Sequence, residues 1–140
     1  LECKVIIILD GPLIPWKAHG GYGKRSFNPL YKEREMIRWK IKEQNPDGVE
    51  WIEGPVKISY DFYFAIPKSF SKKKRLQIGH SLLRPTARPD LTNLVKFYED
   101  CIKEFIFEDD SQVVEFSCRK FYGEKPKAII KVERVQTENL

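Results

Sequence analysis

Between Pro55 and Ala65 the sequence alternates cleanly, with Val56, Ile58, Tyr60, Phe62 and Phe64 on one face and Lys57, Ser59 and Asp61 on the other. A period of two sends successive side chains to opposite sides of a strand, so this segment requires a sheet with one face buried under a second layer. Lys4–Leu9, a continuous apolar run after its first residue, carries the pattern of a central strand. It is too short to cross a membrane or to serve as the core of a signal peptide. Val113–Tyr122 and Lys127–Arg134 read as two more strands, and the short GEKP link between them predicts a hairpin.

Two segments follow helical rather than strand spacing. Over Leu30–Gln44 the residues Leu30, Arg34, Ile37 and Ile41 align, and NPDG at Asn45–Gly48 supplies a turn that ends the helix. Over Leu91–Phe105 the stripe Leu91, Leu94, Val95, Tyr98, Ile102 and Phe105 predicts an amphipathic helix, with Asp90 placed as its N-cap. Trp39 and Trp51 read as core, whereas Trp16 fits either surface or core. The elements do not alternate strictly as strand and helix, so the expected class is α+β. Residues 1–140 form one domain with a mixed sheet packed by about two to three helices. At 140 residues, 41% hydrophobic and 13% aromatic, the chain can bury a real core, which excludes a disordered polymer. It begins at Leu1 rather than Met, which fits a trimmed or processed N-terminus.

The formal charge of +5 and a pI near 9.1 suit a polyanionic partner without requiring one. Cys3, Cys101 and Cys118 are odd in number and contain no C-x-x-C pair. That fits a reduced, cytoplasmic protein with no membrane segment better than a disulfide framework or a zinc site. Two stretches concentrate the basic residues. Asp10–Leu30 is a long Gly- and Pro-rich loop with Lys17, His19, Lys24 and Arg25. Pro67–His80 packs Lys68, Lys72, Lys73, Lys74 and Arg75 beside Phe70. Such a run serves equally as a solvated turn or as a row of phosphate contacts. Phe70 fits either a wedge against unpaired bases or an anchor for its own loop.

The acidic residues carry the chemistry. Asp90 precedes the second helix, Asp100 lies on it, and Asp109 and Asp110 sit in the turn beyond it. Thr92, Lys96 and Asp100 are four apart and share one helical face. Singly, Asp90 is a helix cap, Asp109–Asp110 an exposed turn and Lys96 a solvated lysine. Brought together, carboxylates in a basic surface suit Mg2+ or Mn2+ and metal-assisted phosphodiester hydrolysis, with a lysine near the phosphate. For this the strand after Asp110 must pack back along the helix.

RPDLTNLVKFYEDCI followed by FEDDSQVVEFSCRKFYGEKPKAIIKVE resembles the RusA family of Holliday junction resolvases. The matching positions are Arg88-Pro89-Asp90-Leu91-Thr92-Asn93-Leu94, Lys96, Asp100, Asp109-Asp110-Ser111-Gln112-Val113 and Lys120-Phe121-Tyr122. The segments GPLIPWK, FNP and AIPKSFSKKKR, with His80, also fit, so the resemblance covers most of the chain. It implies a Mg2+-dependent (or Mn2+-dependent) homodimeric endonuclease that resolves four-way DNA junctions by paired symmetrical cuts. Asp90, Asp109 and Asp110 would hold metal, Lys96 would assist at the phosphate, and Asp100 would be a supporting carboxylate. DNA would be met by Lys68, Lys72, Lys73, Lys74, Arg75, Lys17, Lys24 and Arg25. One departure stands out: the family pattern has an acidic residue where this chain has Thr92, an uncharged and weaker oxygen ligand. Glu99 follows seven residues on, about 10 Å along the helix, too far for simple replacement.

Three other readings compete. A junction-binding protein with weak or no activity would follow from Thr92. A restriction-type nuclease is disfavoured, because no [DE]-x-K triplet follows Asp90. A basic interaction domain would show no preference for junctions over duplex DNA.

Overall fold

The computed structural model describes residues 4–18, 20–22, 25–27 and 29–136. In chain order the elements are β1 (Lys4–Asp10), β2 (Gly20–Tyr22), β3 (Arg25–Phe27), α1 (Tyr31–Gln44), β4 (Val56–Ala65), α2 (Lys72–Gly79), α3 (Leu91–Ile102), β5 (Val113–Gly123) and β6 (Lys127–Arg134). The class is α+β, as the sequence predicts: one mixed four-stranded sheet, ordered β1-β6-β4-β5, with α1 and α3 packed into its core. The alternation in β4 becomes Val56, Ile58, Tyr60 and Phe62 at no more than 1% exposure. They meet Val5, Ile7 and Leu9 of β1, Ala128, Ile130 and Val132 of β6, Ile37 and Ile41 of α1, and Leu94, Val95, Tyr98 and Ile102 of α3 in one core.

Four expectations are corrected. β5 and β6 do not form a hairpin, because β4 lies between them, parallel to β5 and antiparallel to β6. The GEKP link crosses the end of β4 instead. Gly123 sits there so close to Tyr63 that a Cβ would come within 3.3 Å of the ring. β1 is an edge strand rather than a central one, with Ile6 and Ile8 exposed on the uncovered face. Trp39 and Trp51 are not core; they are 62% and 45% exposed. Each lies where an apolar neighbour already fills the interior, Ile37 and Ile41 on α1 and Ile52 beside Trp51. Finally, the Asp10–Leu30 loop contains the two-stranded β2–β3 ribbon.

α3 is the element that positions the carboxylates. Its buried face is Leu94, Val95, Phe97, Tyr98, Cys101 and Ile102. It stops at Ile102, short of the Phe105 expected from spacing, and Glu104 turns back with a positive φ of 65°. Arg38 of α1 closes that end, donating from Nε to the Cys101 carbonyl at 3.0 Å and from Nη2 to those of Asp100 and Lys103. A cation on a helix C-terminus meets both the unpaired carbonyls and the helix dipole.

Candidate active site

Asp90 occupies the N-cap position of α3 with extended backbone, yet its side chain makes no capping hydrogen bond. Its exposed carboxylate lines a cleft of about 330 Å³ with Pro15, Trp16, Arg88, Pro89 and Asn93. The wall opposite is the loop after β1. The Trp16 N–H donates to the Asn93 carbonyl at 2.9 Å, and the Ile14 N–H to the Tyr98 hydroxyl at 3.2 Å. Burial pushes the Tyr98 phenol up to about 12, so it stays a neutral partner for that amide. Lys96, one turn into α3, holds its ammonium 4.9 Å from the Trp16 ring centre, an arrangement favoured by the ring quadrupole. Thr92 is exposed on the same helical face. Trp16 therefore belongs to the Asp90 end of the helix, which its loop position in the sequence did not reveal.

Asp109 and Asp110 lie beyond the other end. A short 3-10 turn, Asp110–Gln112, opens β5. Asp109 caps it: its Oδ2 accepts the Ser111 N–H at 3.0 Å, and hydrogen bonds from Ser111, side chain first and then backbone, hold its carboxyl below the usual range. Gln112 clamps the turn. Its Oε1 accepts the N–H groups of Glu108 and Asp109, and its Nε2 donates to the carbonyls of Ile52 and Gly54. Asp110 is left facing α3, where the Lys103 ammonium lies 3.5 Å from its Oδ2. Glu99, one turn before Lys103, is half-buried; burial raises its carboxyl, and repulsion from Asp110 raises it further. The Tyr60 hydroxyl, buried and without a hydrogen-bond partner among the described residues, is raised by burial first and then by Glu99 and Asp110. Sequence spacing set Glu99 aside as too far along the helix to replace Thr92; it belongs to the Asp110 end.

Asp100 turns the other way, pairing with Arg34 of α1 at 3.5 Å, so it braces the helix pair rather than facing Asp110. The predicted ligands are not gathered in one chain. Asp90 lies at one end of α3 and Asp109–Asp110 beyond the other, and among the described residues no three acidic, His or Cys side chains converge as a metal site does.

The predicted DNA contacts divide similarly. Lys68, Lys72 and Lys73 are exposed, on or just before α2, whose N-terminus is capped by Ser71. Arg75 instead holds its own loop, reaching the carbonyls of Phe70 and Pro67. Lys74 lies 4.8 Å from the Phe70 ring, which packs edge-on against Tyr122 of β5. Of the two readings of Phe70, the geometry favours the anchor. Lys17 is exposed in the loop, Arg25 opens β3, and Lys24, His19 and Cys3 fall outside the described residues.

Comparison with known proteins covers both halves of this site. The sequence model of the family described as Endodeoxyribonuclease RusA matches residues 22–133. The chain is 30% identical over 115 residues to the crossover junction endodeoxyribonuclease rusA of Lactococcus phage r1t, covering 81% of this chain and 77% of that protein. It is 42% identical over 104 residues to the uncharacterized protein YqaN of Bacillus subtilis (strain 168), covering 73% of this chain and 72% of that one.

Proposed function

The chain belongs to the RusA endodeoxyribonuclease family, and from that premise we propose that it resolves four-way DNA junctions by paired symmetrical phosphodiester cleavage, in recombination and repair. The observation that carries the proposal is the family match over residues 22–133, which spans Asp90, Lys96, Asp109 and Asp110 together. Mg2+, or Mn2+ in its place, is the proposed cofactor, and Asp90 and Asp110 are the proposed ligands. Among the described residues, one chain by itself does not present these side chains as a set. Asp90 is nevertheless suited to the role, being exposed and free of the capping bond its position would allow. Lys96 stands less than two turns along α3 from Asp90 with its ammonium held against Trp16, ready to meet a phosphate oxygen. Lys68, Lys72 and Lys73 add an exposed basic strip for the DNA backbone.

A second reading, a junction-binding protein with weak or no cleavage, draws on Thr92. A labelled synthetic four-way junction incubated with Mg2+ separates the two. Cleavage by the wild type that disappears in Asp90→Asn and in Asp110→Asn supports the nuclease. Tight junction binding with no cutting in Mg2+ or Mn2+ supports the binder.

A further inference from the structure

Resting on the nuclease reading above, the cleft beside Asp90 has walls that a phosphate alone does not call for. Three rings line it: the Trp16 indole and the pyrrolidines of Pro15 and Pro89. Its polar side chains are those of Arg88, Asp90 and Asn93, and among the described residues none of the three makes a side-chain hydrogen bond or an ion pair. At about 330 Å³ the space falls within the range of small-molecule sites, roughly 300–1,000 Å³.

The cleft is formed in advance of any ligand. The Trp16 N–H on the Asn93 carbonyl and the Ile14 N–H on the Tyr98 hydroxyl tie the loop after β1 to α3 at two points. Lys96 lies over the indole but does not line the cleft, so its ammonium leaves the cleft side of the ring uncovered. Trp16 is 36% exposed in consequence.

In the nuclease reading, the cation at Asp90 and the Lys96 ammonium both serve the scissile phosphate. The remaining walls have no anion to hold. An indole flanked by two pyrrolidines suits a flat, uncharged ring. The Asn93 amide both donates and accepts, and the Arg88 guanidinium donates in a planar fork, which together suit the polar edge of such a ring. Lys17, exposed beside Trp16, suits the adjoining phosphates of the same strand. A base leaves its stack most cheaply where stacking is already interrupted, as it is at the crossover of a four-way junction.

We infer that this cleft receives one unstacked nucleobase, from a nucleotide next to the scissile phosphate, against the Trp16 indole and with its edge on Asn93 and Arg88. Capture of the base fixes its nucleotide, and so sets the adjoining phosphate at Asp90 and Lys96. Trp16 is thereby a positioning residue for the cut as well as a binding one.

Two measurements test this. A four-way junction carrying 5-iododeoxyuridine at the crossover, irradiated in complex with the wild type, should cross-link to the peptide that contains Trp16. Cross-links confined to other peptides, or none from any crossover position, overturn the proposal. Separately, Trp16→Ala with the wild-type circular dichroism spectrum should bind the intact junction about tenfold more weakly than the wild type. On a junction made abasic at the crossover nucleotides the two proteins should bind alike, because the wild type has lost the same contact. An equal deficit on both junctions means that Trp16 acts only through Lys96 or its own loop and overturns the stacked base, as does an intact-junction affinity unchanged by Trp16→Ala. Should Trp16→Ala not fold, the wild-type cross-link alone decides. Neither measurement needs cleavage: if the wild type cuts no junction, the nuclease reading fails, while cross-linking and binding still decide the cleft.

Discussion

Asp90 and Asp109 both occupy cap positions, but only Asp109 uses its carboxylate as a cap. Replacing Asp90 by Asn should therefore stop nicking while leaving the melting temperature unchanged; replacing Asp109 by Ala should lower it. Thermal melts alongside a nicking assay read both. Position in the sequence suggested capping for Asp90, yet whether a cap is used depends on where the carboxylate points, which spacing does not encode. Two further residues carry charge or polarity into unfavourable places. Tyr60 buries a hydroxyl with no partner, so Tyr60→Phe should be neutral or stabilise the fold by about 1 kcal/mol in urea titrations. Glu99 has its carboxyl raised by burial, then by Asp110. An acid raised in the folded state loses stability as pH climbs from its unfolded value through its folded one. Glu99→Gln should therefore melt higher than the wild type at neutral pH, and the gap should close as pH falls below the ordinary glutamate range.

At the scale of elements, α2 shows how a run of like charges divides its labour. SKKKR looked uniform in the sequence, and all of it is exposed, but Arg75 reaches the carbonyls of its own loop and Lys74 lies over the Phe70 ring, beside the exposed Lys68, Lys72 and Lys73. Changing those three together to Ala should lower the slope of log affinity against log salt for junction DNA by about 2–3. The strands were readable wherever one face is buried, as in β4, because alternation records burial directly. Their partners were not. β5 and β6 are separated by only three residues yet pair on opposite sides of β4, and a short link between two strands reads the same either way. The tryptophans misled for a related reason: large apolar side chains mark burial only when nothing smaller has filled the interior first.

Over the whole molecule, the family and the fold class were legible, because motif and periodicity are local. The distance between the two halves of the site was not, since it depends on β5 running back along a full helix. The order of the sheet has a further consequence, for how the chain reaches its fold. β1 pairs only with β6, residue 4 against 133 and residue 10 against 127, and β6 is also what joins β1 to β4. Of the described strands, β1 leaves synthesis first and must wait for β6, which leaves it last. Long-range pairing of this kind slows folding to the millisecond-to-second range, and a chain cut before Lys127 leaves β1 with no neighbour to pair with.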